Sequence, residues 1–153
     1  MKLHACRRSI SHISAPISSS FRSYLDFHIQ WIEHYGYAET KASVLESMRK
    51  LQTDYLDLCL LHQPFGDVYG AYHALEDLYD EGKIRAIGIS NFYPDRMIDI
   101  ASFARIKPMV NQIEAHPHHQ QAESKAWHDK YGVQVEAWAP FGEGRGGCSS
   151  CPN

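Results

Sequence analysis

Short apolar runs recur at nearly even intervals in this chain and alternate with stretches of helical periodicity. YLDLCLLH (55–62), IRAIGI (84–89), MVNQI (109–113) and VQVEAW (133–138) begin 24 to 29 residues apart. That interval holds one strand and one crossover helix. It therefore predicts a parallel sheet with right-handed connections. An apolar run closed by proline, as 55–62 is by Gln63-Pro64, reads as a strand buried on both faces. Residues 26–32 (DFHIQWI) are expected to supply a fifth, short strand.

The intervals between the runs read as helices. Val44, Met48 and Leu51 share one helical face, as do Ala71, Tyr72, Leu75, Leu78 and Tyr79. Gly82 is the expected stop of the second helix, and Pro94 suits the first turn of the next. Met97, Ile100, Ala101 and Ala104 align along that third helix. A fourth, near 120–131, ends at Gly132. The resulting order, β-α-β-α-β-α-β-α-β, fits either an open doubly wound sheet or part of an eight-stranded barrel. In both architectures, function sits at the carboxyl ends of the strands.

Composition excludes several classes. The formal net charge of −3 gives no general attraction to nucleic acid or an anionic membrane. No apolar run is long enough to span a bilayer. Cys6, Cys59, Cys148 and Cys151 are too few and too scattered for a disulfide framework. Residues 1–25 stand apart: Lys2, Arg7, Arg8 and Arg22 face no acid, and seven serines lie between Ser9 and Ser23. Such a basic, serine-rich start reads either as an organelle transit peptide or as a poorly ordered or foreign leader. The expected organisation is thus a leader at 1–25, a globular unit at 26–147 and an unrelated tail at 148–153.

The strand ends carry the chemistry. His62 follows the first long run, Ser90 and Asn91 the second, Gln112 lies near the end of the third, and Trp138 ends the fourth. Together they suggest a pocket for a flat polar ligand, with amides on its edge and an indole over its face. Each has a plainer reading. His62 suits a buried strand end, Ser90-Asn91 a helix N-cap, Gln112 a partner for backbone groups, and Trp138 the core. No GxGxxG follows any strand, which argues against a Rossmann site. Cys148-x-x-Cys151 lacks a second pair, and His116, His118 and His119 suit a solvated turn, so no metal is expected.

LDLCLLHQP (56–64), GKIRAIGISNF (82–92), VNQIEAHP (110–117) and VEAWAPFGEGRGG (135–147) closely resemble the aldo-keto reductases, in the branch of the bacterial diketogluconate reductases. The resemblance implies a (β/α)8 TIM barrel that reduces aldehydes and ketones with NADPH, or with NADH as the alternative cofactor. It implies that His62 orients the substrate carbonyl and that Trp31 lines the substrate pocket. Ser90, Asn91 and Gln112 resemble the residues that hold the nicotinamide carboxamide, and Trp138 the aromatic stacked on the ring. Ala139, Pro140, Phe141 and Gly142 resemble the start of the loop over the pyrophosphate. The implied partner is a small-molecule carbonyl compound, and the implied compartment is the cytoplasm.

Two departures from the family pattern stand out. The family lysine two residues before the tryptophan is Ile29 here. Nothing in residues 1–25 resembles the family strand that carries the aspartate and the tyrosine acid. A barrel also needs about 250 residues against the 153 here. The expectation is therefore a partial barrel of about five parallel strands and four crossover helices. Loss of the general acid alone would forfeit about 10²–10⁴ in rate. Such an arc exposes its edges, so self-association is expected. The alternative is a non-catalytic nucleotide-binding or interaction module.

Overall fold

The computed structural model describes residues 25–141. Residues 1–24 of the leader expected at 1–25, Gly142 and the 148–153 tail therefore lie outside the described residues. Five strands form one parallel sheet in chain order: β1 Phe27–Gln30, β2 Leu58–Leu61, β3 Ile87–Ser90, β4 Val110–Glu114 and β5 Gln134–Trp138. Four helices make the crossovers: α1 Tyr37–Leu51, α2 Val68–Asp80, α3 Pro94–Phe103 and α4 Ala122–Tyr131. A doubly wound sheet reverses its strand order at a switch point, whereas a barrel does not. The unbroken order decides for the barrel arc between the two architectures left open by spacing.

The main core lies between the sheet and the helices. Cys59, Leu61, Ile87 and Ile89 meet Tyr72, Leu75, Leu78, Met97 and Ile100 there. Alternation along the strands sends the other side chains, Leu60 and Gly88 among them, to the inner face of the arc. On α1 the buried stripe is Thr40, Val44 and Met48, while Leu51 is 42% exposed. The apolar stripe is thus one turn earlier than its hydrophobic residues suggest.

The ladder also starts later than the apolar runs. Leu56 and Ile84 pair only as an isolated bridge, and continuous pairing begins at Leu58 and Ile87. Asp57 lies between that bridge and β2. Its carboxylate accepts from the Asp26 backbone N–H at 3.0 Å, which ties this segment to the start of β1. The stops fall as expected: Gly82 and Gly132 adopt φ of +70° and +73°, values that favour glycine.

One buried carboxylate aims the chain into β4. Glu76, fully buried on α2, accepts from the Ile106 N–H at 2.8 Å and pairs with His73 Nδ1 at 2.7 Å. Tyr72 donates its hydroxyl to the Ile106 carbonyl at 3.0 Å. Both polar backbone groups of Ile106 are therefore satisfied from α2, as a half-buried loop requires. Among the described residues no helix is long and apolar enough to cross a membrane.

Candidate functional site

Parallel pairing in this order brings all five carboxyl strand ends to one rim. His28 and Gln30 bond side chain to side chain on one face of β1. Ile29 and Trp31 therefore lie on the other face, toward the inside of the arc. The Trp31 ring meets the His62 ring there at 4.2 Å, and Trp31 is 54% exposed. Ile29 is apolar and in register with Leu60.

Asn91 is the hub of the rim. Its Nδ2 donates to the His62 carbonyl at 3.0 Å and to Ser90 Oγ at 3.1 Å. Its Oδ1 accepts the Trp138 indole N–H at 2.8 Å. The Asn91 backbone N–H and the Ser90 hydroxyl both donate to the Gln112 carbonyl, each at 2.9 Å. Four strand ends are stitched together by these bonds. Asn91 sits at φ +61°, a region that asparagine tolerates better than most residues.

The geometry removes some of the plainer readings. The N-cap of α3 is Tyr93, not Ser90 or Asn91. Gln112 uses its side chain on Glu136 Oε1 at 2.9 Å rather than on backbone. Trp138 is half-buried at the rim, with its N–H committed to Asn91. Beyond it, Ala139 turns at φ +50° and Phe141 is 91% exposed. Pro140 lies between them, and Gly142 falls outside the described residues.

Two contributors escape a strand-end reading. Glu136 is the first, since an acid inside VQVEAW shows its role only once β4 and β5 are paired. Asn111 is the second. It is fully buried behind the rim, and its Nδ2 donates to the Phe92 carbonyl and to His128 Nε2, both at 2.7 Å. His128 Nδ1 in turn donates to the Ser124 carbonyl at 2.6 Å. This bracket fixes Phe92, the residue after the hub. A polar residue within the apolar VNQI run was the available signal for Asn111.

His116 and His119 exchange backbone hydrogen bonds in a turn after β4, and His116 Nε2 lies 3.5 Å from Glu114. No group of three or more metal-ligating side chains gathers among the described residues.

Burial lowers the pKa of His62. It does the same at His28, aided by the nearby His34 and opposed by the bond to Gln30. A histidine with a lowered folded-state pKa binds its proton more readily when unfolded. Stability is therefore expected to be full above about pH 6.5 and to fall as the pH drops through that unfolded-state value. Urea midpoints measured across that range check this, and a flat profile would contradict it. Replacing His28 with Gln should flatten the slope.

The rim thus offers amide donors and acceptors beside an indole and an imidazole. That set can hold a planar ligand bearing a primary amide next to a polar group needing a hydrogen bond.

Comparison with known proteins points the same way. A family model described as Aldo/keto reductase family matches residues 27–146. Glyoxal reductase of Bacillus subtilis is 47% identical over 116 residues, 75% of this chain and 42% of that protein. Methylglyoxal reductase DkgA of Escherichia coli is 35% identical over 107 residues, 68% of this chain and 39% of that protein. The crystal structure of an aldo-keto reductase from a Medee basin deep-sea metagenome library matches with a TM-score of 0.79 at 35% identity. The match covers 83% of this chain and 48% of that one. The Bombyx mori aldo-keto reductase in complex with NADP matches with a TM-score of 0.74 at 29% identity, covering 83% and 45%. The chain spans about two fifths to a half of the length of these relatives.

Proposed function

The chain belongs to the aldo/keto reductase family, and on that premise we propose that its rim is part of an NADPH-dependent site that reduces small aldehydes and ketones to alcohols. The observation that carries the reading is the bonded cluster of His62, Ser90, Asn91, Gln112 and Trp138 at one set of strand ends. A primary carboxamide needs one donor and one acceptor beside an aromatic face, and this cluster supplies all three. When bound, the nicotinamide would supply the hydride for the carbonyl carbon.

The chain's own residues would do the rest. Ser90, Asn91 and Gln112 hold the carboxamide, and Trp138 lies against the ring. Ala139, Pro140, Phe141 and Gly142 begin the loop along the pyrophosphate. His62 donates an imidazole N–H to the carbonyl oxygen, where negative charge develops. Trp31, packed on that imidazole, shields it from water and walls the substrate pocket. The resemblance to a glyoxal reductase of Bacillus subtilis and a methylglyoxal reductase of Escherichia coli supports small dicarbonyls as substrates. The cytoplasm, with its reduced nicotinamide pool, suits this chemistry. Self-association through the outer edges of β1 and β5 belongs to the same proposal. Among the described residues, each of those strands pairs on one side only.

A second reading, nucleotide binding without turnover, is favoured by Ile29. On the inner faces of β1 and β2, His62 is flanked by Ile29, Leu60 and Trp31, none of which donates a proton to a carbonyl.

Titrating the chain with NADPH and following nicotinamide fluorescence tests the site. A saturable change is expected, and its absence would sink both readings. Methylglyoxal is then added and nicotinamide absorbance followed. Consumption favours the reductase, and binding without consumption favours the second reading.

A further inference from the structure

Glu136 and Trp138 are two residues apart on β5, so their side chains leave the same face of the strand. Each is hydrogen-bonded to one amide of the rim. Trp138 Nε1–H meets Asn91 Oδ1 at 2.8 Å, and Glu136 Oε1 meets Gln112 Nε2 at 2.9 Å.

These two bonds fix which end of each amide points where. An indole N–H only donates, so the group facing it must be the amide oxygen of Asn91. The Nδ2 of Asn91 is then directed at two acceptors, the His62 carbonyl and Ser90 Oγ, which is consistent. A carboxylate only accepts, so Glu136 must face the NH₂ of Gln112. The Oε1 of Gln112 is consequently turned away from Glu136. It has no hydrogen-bond partner among the described residues.

We infer that Glu136 and Trp138 are positioning residues that lock the polarity of Gln112 and Asn91, making the rim select a neutral primary carboxamide over the corresponding carboxylic acid. The inference rests on the rim being a nicotinamide site. A carboxamide NH₂ can donate to Gln112 Oε1. A carboxylate there would meet the lone pairs of that oxygen and the negative charge of Glu136 behind it. The selected ligand is therefore a pyridine dinucleotide that retains its amide, and the excluded one is its deamidated form.

The test is isothermal titration calorimetry of the full chain with NADP⁺ and with nicotinic acid adenine dinucleotide phosphate. It needs no turnover. The wild-type chain is expected to bind NADP⁺ at least about tenfold more tightly, the worth of one hydrogen bond to a charged or opposed group. In Glu136→Gln the new amide can donate or accept, so Gln112 is free to turn. The preference should then fall to about threefold or less. Trp138→Phe, which keeps an aromatic face but removes the donor to Asn91, should also narrow it. A partly unfolded variant loses sites for both ligands equally, so the ratio of affinities reports polarity and not folding. An unchanged preference in Glu136→Gln overturns the inference. Equal binding of the two nucleotides by the wild type overturns it too, while leaving the nicotinamide site standing. Binding of neither overturns both.

Discussion

Replacing Gly88 with valine is expected to destabilise the sheet by at least about 3 kcal/mol, beyond the range in which ordinary overpacking is absorbed. Gly88 lies in β3, the middle strand, paired with Leu60 on one side and Val110 on the other. A Cβ at this position would sit 2.5 Å from the Val110 carbonyl oxygen and 2.6 Å from Leu60 Cδ2. The first neighbour is sheet backbone and the second belongs to a fully buried side chain. Neither can withdraw without breaking pairing or opening a void. Ser90 is two residues further along the same strand, so NADPH binding should be lost along with the sheet. Urea denaturation and the soluble yield read the effect. A midpoint equal to that of the wild type would contradict the close approach.

Asn91→Ala is expected to remove about 2–4 kcal/mol of stability, through backbone strain and orphaned polar groups. The substitution strands the His62 carbonyl and the Trp138 indole N–H and removes a donor from Ser90 Oγ, groups that now share one side-chain amide. It also leaves alanine at φ +61°. Asn91→Gly separates the two causes, because glycine accepts that conformation but restores no bond. The glycine variant should recover about 1 kcal/mol and no nucleotide affinity. NADPH affinity should fall at least about tenfold in both variants. Wild-type affinity in Asn91→Gly would show that the hub amide is not part of the binding rim.

The fold was legible where burial writes itself as pattern. The apolar runs at 55–62 and 133–138 contain β2 and β5, those at 84–89 and 109–113 cover all but the last residue of β3 and β4, and Gly82 and Gly132 mark turns at positive φ. Boundaries were less legible. Apolar residues continue past the ladder, so Leu56 and Ile84 look like strand but form only an isolated bridge. Leu51 belongs to the hydrophobic spacing of α1 yet lies in its exposed last turn, while Thr40 is buried. Polarity alone does not say which turn of a helix meets its neighbour.

His62, Ser90, Asn91, Gln112 and Trp138 could be singled out as candidates because a parallel α/β arrangement sends function to the strand ends. Their hydrogen bonds were not identifiable. Trp138 and Asn91 are 47 residues apart, and Glu136 and Gln112 are 24 apart. Such pairs exist only once the strands of the sheet are set in register. A slip of one residue would turn Glu136 from the rim to the helix side, because side chains alternate.

By itself the sequence determined the element types, their order and the residue types available at the strand ends. Periodicity is a local property, written by the need to bury one helix stripe or both faces of a strand. Tertiary structure alone decided between the two architectures, through the unbroken order of β1 to β5. It alone aimed Ile29 and Trp31 inward, gathered three strand ends on Asn91, and turned the amides of Gln112 and Asn91. Those outcomes depend on distances between segments far apart in the chain, which no local pattern encodes.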